Sequence, residues 1–405
     1  MGRRAWDVGR EDVTSYTPAK RTSHILHAFR ARRSTSALLR QNYTMKLSNI
    51  GEFGLIHAIQ KLSYQRSPAT MIGIGDDAAV LKIPPATVLL ATTDMLIEGV
   101  HFDLSYTDFY SLGWKSAAVN LSDIAAMGGV PRFCLTSLAI PPHIPVEAVK
   151  DYYQGFTALV RTYKTILVGG DTCVSKDGLV ISVTILGEAN KRTVIPRSGA
   201  KHGDRIFVTG TLGDAGAGLE LLKSGVREQG TGIRRRASGV RHQKSEVGSK
   251  NFASDLRTSH SALIKRHLRP VPRVDWGRKI AKSGCASSMI DVSDGLSSDL
   301  SHLCEESGVG AVVLSDAIPL SRSILRSAGQ LNKSPLQYAL SGGEDYELLF
   351  TMPESRMKIL QGLNIPVTEI GMITKRKSMI LMNAAGRKAA LHPTGYNHFK
   401  RSTRE

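Results

Sequence analysis

Four cysteines are scattered through 405 residues, at positions 134, 173, 285 and 304, and no two form a C-x-x-C pair. That spacing excludes a disulfide framework and a zinc knuckle, and it predicts a reduced, cytoplasmic setting. Aromatic residues are only 6% of the chain and are not interleaved with basic side chains, which argues against a stacking platform for nucleic acid. No apolar run approaches the roughly 18 residues that a membrane helix needs, so no membrane association is expected. Also missing are a G-x-x-x-x-G-K-[ST] loop and the H-R-D and D-F-G pair, so the two commonest phosphoryl-transfer designs are excluded. What remains is ample for a core: 41% hydrophobic and 22% charged residues, over a length comfortable for two domains.

The net charge of +18 suggests a polyanion partner until it is divided along the chain. Residues 1–45 hold nine Lys/Arg against three Asp/Glu, and residues 223–262 again hold nine against three. Two thirds of the excess therefore sits in two segments with poor apolar periodicity, and no specific nucleic-acid partner is expected. The first segment lacks the apolar stretch of a secretory signal. It reads as a basic, disordered extension, as a stretch upstream of a true start at Met45, or as an organellar leader, against which Asp7, Glu11 and Asp12 count. The second, rich in Gly, Ser and Arg, reads as a flexible insert.

Between these segments the pattern is dense. Apolar spacing predicts helices over 51–62, 109–127, 146–162 and 215–222, with a Gly-Gly stop at 128–129. Strand-like runs fall at 86–93, 132–140, 164–168, 178–188, 205–209, 286–291, 309–314, 346–352 and 367–373. The chain thus reads as an α/β protein: a first domain over 46–188 and a second over 189–400, interrupted by the insert 223–262.

The acidic residues are unevenly placed. Ten of the 35 lie in six short islands, each beside Gly, Ser or Thr. These are G-I-G-D-D-A-A-V at 73–80, T-T-D-M-L-I-E-G-V-H at 92–101, N-L-S-D-I-A-A-M-G-G at 120–129, G-G-D-T at 169–172, I-D-V-S-D-G-L at 290–296 and S-G-G-E-D-Y at 341–346. A single Asp-Gly pair is an ordinary turn, and a single Asp before a helix an ordinary cap. Six together point to hard divalent cations, which take oxygen ligands and keep water, and so to phosphoryl chemistry on an α/β scaffold.

In this order and spacing, and with R-S-G-A-K-x-G-D, I-K-R-H-L-R-P and S-G-G-E-D-Y-E-L, the islands resemble those of the thiamine-monophosphate kinase family, within the aminoimidazole-ribonucleotide-synthetase-like superfamily. The resemblance covers about residues 50–222 and 263–400. It implies a two-domain aminoimidazole-ribonucleotide-synthetase-like fold, with an N-terminal α/β dimerisation domain and a C-terminal α/β domain, forming a homodimer. The implied reaction is transfer of the γ-phosphoryl group of ATP to thiamine monophosphate, giving thiamine diphosphate and ADP, the last step of thiamine diphosphate biosynthesis. Several Mg2+ ions would lie along a cleft. Carried over by motif, the metal ligands are Asp77, Thr92, Thr93, Asp94, Asp123, Asp171, Asp291 and Asp294. Gly170, Asp171, Arg197 and Ser293 match ATP-contacting positions, while His101, Glu344 and Tyr396 match positions that contact the thiamine substrate. No general base is evident. Another ATP-dependent superfamily activity, that of an aminoimidazole ribonucleotide synthetase or a hydrogenase maturation factor, is the alternative; G-G-E-D-Y-E-L and V-S-D-G-L favour the kinase.

Overall fold

The computed structural model describes residues 87–230 and 259–395 continuously, together with 49, 55, 58–65, 67–72 and 80–85. All of these belong to one compact unit within residues 43–405. The extension 1–45 lies outside the described residues, and so do 231–258 of the basic insert.

A short antiparallel ribbon, β1 (Thr70–Ile72) with β2 (Val80–Leu81), precedes the first sheet. That sheet takes β3 (Thr87–Ile97), β4 (Val130–Ile140), β5 (Ile166–Val174) and β6 (Val180–Asn190) in the order β3-β6-β4-β5, with only β4 and β5 parallel. Helices α1 (Phe109–Ala126) and α2 (Val146–Thr162) pack together on one face of the sheet. The start of α1 is fixed by Asp108, whose side chain accepts from the Ser111 amide, and Gly128, at φ +70°, turns the chain after its end. In α2, Tyr152, Tyr153, Phe156, Leu159 and Val160 recur at helical spacing and are buried.

The two helices approach more closely than side chains normally allow. A Cβ at Gly113 would lie 1.9 Å from the Tyr152 carbonyl oxygen, and one at Gly155 would lie 1.8 Å from that of Tyr110. Alanine at a helix interior normally gains about 1 kcal/mol over glycine. For Gly155→Ala the sign should reverse to a loss of about 1–3 kcal/mol, because backbone rather than a flexible side chain must yield. Urea unfolding monitored by circular dichroism measures this, and a stabilised variant would show that the helices can slide apart.

The second sheet takes β7 (Arg205–Thr209), β8 (Ser288–Asp291), β9 (Gly310–Leu314), β10 (Leu348–Met352), β11 (Val367–Thr374), β12 (Met379–Met382) and β13 (Lys388–Ala390). Its order is β13-β12-β9-β11-β7-β10-β8, and only β9 and β12 run parallel. Around it lie α3 (Asp214–Gly230), α4 (259–268), α5 (Val274–Ser283), α6 (Leu296–Ser307), α7 (Arg322–Ser327), α8 (Pro335–Ser341) and α9 (Met357–Gln361). Its core joins Val208, Ile290, Leu300, Val313, Leu349 and Ile370.

Three expectations change. Helix α3 runs on through Gly230 and α4 is helical from 259, so both ends of the segment read as a flexible insert are regular helix. The G-G-D-T island lies inside β5 rather than at a strand end. Strands β12 and β13 lacked a readable pattern, being short and, in β13, fully exposed.

The segment between α4 and α5 straps the two sheets together. The Pro270 carbonyl accepts from Trp114 Nε1 at 2.7 Å, the Pro272 carbonyl from the Tyr163 hydroxyl at 2.8 Å, and Arg269 Nε donates to Ser111 Oγ at 2.9 Å. On the other side, Arg266 and Arg273 both donate to Glu347, a carboxylate with no solvent exposure that also accepts from Thr209 Oγ1 at 2.7 Å. Two prolines fix the path between these anchors.

Candidate active site

Alternation along β3 sends Thr92 and Asp94 to one face and Thr93 to the other. The Thr92 hydroxyl donates to Asp123 Oδ2, near the end of α1. The neighbouring Ser122 hydroxyl donates to Asp291 Oδ2 at 2.6 Å, at the end of β8, so the first and second sheets meet through carboxylates. Burial, then the charge of Asp123, pushes the Asp94 carboxyl up to about 6. Asp291 is raised by burial and by Asp123; Asp123 is raised by burial, against the hydrogen bond from Thr92 and the charge of Arg197. These groups are close enough to oppose one another's ionisation. Asp299, on α6, is raised too, by burial and then Asp291, while its Oδ2 accepts from the Asp294 and Gly295 amides at 3.2 and 3.0 Å.

The donor set suits a hard divalent cation. Among the described residues no three His, Cys, Asp or Glu side chains close up into a single-ion cage. Magnesium does not require one: it commonly takes one or two carboxylates and completes its shell with water and substrate phosphates. Three half-buried to buried carboxylates, raised first by burial and, at Asp94 and Asp291, also by the charge of Asp123, with Arg197 beside them, fit that pattern.

The remaining sequence-predicted residues are spread around this cluster. The Thr93 hydroxyl donates to the Val183 carbonyl and accepts from Thr184, on the sheet face away from Asp123, so the structure does not bring this side chain to the carboxylates. Gly170 and Asp171 sit exposed on β5, at the opposite edge of the sheet from β3, three strand spacings or roughly 14 Å away. A Cβ at Gly170 would lie 2.0 Å from the Thr136 carbonyl oxygen, which explains the glycine without any ligand. Arg197 is exposed, with its charge felt at Asp123 and Asp291. Ser293 and Asp294 form the turn after β8, and the Ser293 carbonyl accepts from the Glu344 amide at 2.7 Å. His101 Nδ1 accepts from the Ile97 amide at 3.0 Å, closing the turn after β3 and leaving Nε2 to carry the proton of the neutral ring. Asp77 and Tyr396 lie outside the described residues.

Glu344 belongs to a strained loop. Gly343, Glu344 and Tyr346 all have positive φ, at +67°, +60° and +51°. Left-handed backbone at two non-glycine residues costs energy and concentrates at functional sites. Hydrogen bonds from the Glu344 and Tyr346 amides to the Ser293 and Val292 carbonyls hold the loop against the turn that carries Asp291 and Asp294. The next residue, Asp345, accepts from the Gly213 and Ala215 amides at 2.7 and 3.3 Å, at the start of α3, and burial raises its carboxyl to about 8. Asp345 is thus a buried cap.

Behind Glu344 lie residues that the sequence did not single out. Lys115 Nζ is 2.7 Å from both carboxylate oxygens, and His267 Nδ1 lies 2.8 Å from Oε2, off the line of an ideal hydrogen bond. His267 belongs to the I-K-R-H-L-R-P motif, which signalled it; Lys115, in the middle of a helix, carried no signal. The turn after β3 and Lys223 enclose a cleft of about 270 Å3, lined by Gly99, Val100, Phe102 and Tyr106 among others, and Tyr106 feels the charge of Glu344.

The chain is similar to known proteins along most of its length. The model of the AIR synthase related protein N-terminal domain matches residues 75–189, and that of the C-terminal domain matches residues 201–382. Thiamine-monophosphate kinase of Aquifex aeolicus is 38% identical over 355 residues, covering 88% of this chain and 100% of the relative. The structure of "AaThiL complexed with AMPPCP and TMP" superposes with a TM-score of 0.64 at 37% identity, over 88% of this chain and 100% of that one. That of thiamine-monophosphate kinase from Stenotrophomonas maltophilia gives 0.67 at 33% identity, over 84% and 98%.

Proposed function

Since the chain belongs to the thiamine-monophosphate kinase family of AIR synthase related proteins, we propose that the cleft between its two sheets is where it transfers the γ-phosphoryl group of ATP to thiamine monophosphate. The enzyme is a kinase whose products are thiamine diphosphate and ADP. The observation that carries the placement is the convergence of Asp94, Asp123 and Asp291 from β3, α1 and β8, each carboxyl raised above its ordinary range.

The residues divide the work by chemistry. Asp94, Asp123 and Asp291, with Asp77 and Asp294, and Asp171 for a further ion at the opposite edge of the sheet, would hold Mg2+, which when bound offsets the phosphate charge that opposes attack of one phosphate on another. Ser122 and Thr92 hold two of these carboxylates in place through their hydroxyls. Arg197 offers a permanently charged planar fork to phosphate oxygens. The acceptor is a phosphate already ionised near neutral pH, so the protein need not remove a proton; orientation and charge compensation suffice. Glu344, whose charge is felt at the cleft residue Tyr106, and His101, in the turn that supplies most of the cleft lining, would face the organic part of the acceptor.

A homodimer is supported by the outer face of β3, where Leu89, Met95 and Ile97 are exposed, and by exposed Val174 on β5. Four free cysteines support a reducing compartment such as the cytoplasm. Among the described residues no helix is long and apolar enough to cross a membrane.

The test is the purified chain with ATP and thiamine monophosphate, with and without Mg2+, read as thiamine diphosphate by chromatography. Magnesium-dependent product is expected. No thiamine diphosphate, with ATP consumed on another acceptor, would overturn the reading.

A further inference from the structure

Glu344 and Glu347 are three residues apart in the loop before β10, and both are ion-paired, yet they are built differently. Glu347 has no exposed surface and is enclosed by Arg266, Arg273 and Thr209. Around Glu344 the burial is reversed. Its side chain keeps 26% exposure, while its partners Lys115 and His267 keep 2% and 3%. A lysine and a histidine removed from water behind a carboxylate that is itself wet make a poor structural ion pair, because desolvating the ammonium is costly and the carboxylate remains open to competition. They make a good backing for a carboxylate that has to present its outer side to something else.

The geometry fixes the roles. Lys115 Nζ is 2.7 Å from each oxygen of Glu344 and 3.5 Å from His267 Nε2. An ammonium has only protons to offer, so the ring nitrogen facing it accepts, and the neutral ring carries its proton on Nδ1, toward Glu344. Burial, followed by the charge of Lys115, keeps His267 below its ordinary range and hence neutral. Lys115 neutralises the carboxylate's charge from behind, so Glu344 meets a ligand chiefly as a directed acceptor. The Tyr106 phenol, which lines the cleft, feels the charge of Glu344. The left-handed backbone at Glu344 sets the angle of presentation.

We infer that Lys115 and His267 are positioning residues that hold Glu344 as an oriented hydrogen-bond acceptor for the N–H groups of the substrate's aminopyrimidine. This inference rests on the proposed acceptor substrate. It assigns to a buried pair outside the phosphate-handling cluster a part in recognising the heteroaromatic end of that substrate.

The experiment uses the full chain with Lys115→Met, Lys115→Arg and His267→Gln. It measures kcat, KM for each substrate, and the calorimetric affinity for thiamine without ATP. In metal sites, removing an outer partner that orients a ligand group costs about 10–100-fold. Lys115→Met is accordingly expected to raise KM for thiamine monophosphate about tenfold and weaken thiamine binding equally, while KM for ATP stays within about twofold. Lys115→Arg, which keeps the charge, should restore most of the loss, and His267→Gln should show a smaller effect of the same kind. If Lys115→Met does not fold, His267→Gln decides: an unchanged KM for thiamine monophosphate overturns the inference. So does a parallel rise of both KM values in any variant, which marks general loosening. Wild-type protein that fails to turn over thiamine monophosphate overturns the functional reading instead, and is seen in the same assay.

Discussion

Asp291→Asn is expected to lower kcat by about 10²–10³-fold while leaving the fold intact, the scale of loss when one preorganised charged group is taken from an electrostatic site. Asparagine has the shape of aspartate and can still accept from Ser122, so the change isolates the charge. The metal-free protein supplies a second readout. Asp94 and Asp291 both have folded-state pKa values above their unfolded ones. Between the unfolded value near 4 and the raised one, the folded state binds more protons. Stability from these groups is therefore present at low pH and lost as pH rises through about 6 and above. Metal-free Asp291→Asn should then be at least as stable as wild type at pH 8, and Mg2+ should raise the melting temperature of wild type at pH 8 more than that of the variant. Steady-state kinetics and calorimetry at pH 6 and 8, with and without Mg2+, check both. Activity within about threefold of wild type would remove Asp291 from the metal-binding set.

Glu347→Ala should instead be a stability variant. It leaves Arg266 and Arg273 facing a buried hole, and breaking a buried pair by removing one partner costs about 3–5 kcal/mol. Both arginines retain some exposure, at 24% and 14%, so the lower end is expected. For a chain of this size that is a fall in melting temperature of roughly 4 °C. The effect should also have a location. Because these arginines bracket the segment whose carbonyls hold Trp114 and Tyr163, amide exchange should quicken in residues 109–126 and 266–276 ahead of the outer strands. A melting temperature within about 2 °C of wild type would mean that the strap does not depend on this node.

Much of this was legible in the residues. The bounds of α1 and α2 could be read because burial on one face of α2 imposes a period, while α1 is largely apolar from its Asp108 cap to the stop marked by Gly128. Asp94, Asp123 and Asp291 could be found because each stands among small residues in a short motif. Lys115 could not. In sequence it is a lone lysine in a largely apolar helix, where the long side chain ordinarily reaches out to solvent, and its partner lies 229 positions away. Asp299 was hidden for the same reason: its environment is made by the turn after β8, five residues earlier, folding back on α6. The reverse error occurred at α3, where falling hydrophobicity suggested the end of a helix that continues to Gly230. Local composition reports whether a face is buried, and the exposed residues 223–225 have no such face to report.

Strand β3 carries carboxylate chemistry on one side and apolar surface on the other, in strict alternation from Leu89 to Ile97. Point substitutions can therefore change either side independently: Met95 can vary without disturbing Asp94. Length cannot vary in this way. Deleting one residue before Thr92 would send Asp94 outward and bring Met95 to the carboxylates, exchanging the two sides in a single step. In an evolving lineage this strand is thus free in its letters and frozen in its count, and sequences that diverge widely around it should still align across β3 without a gap.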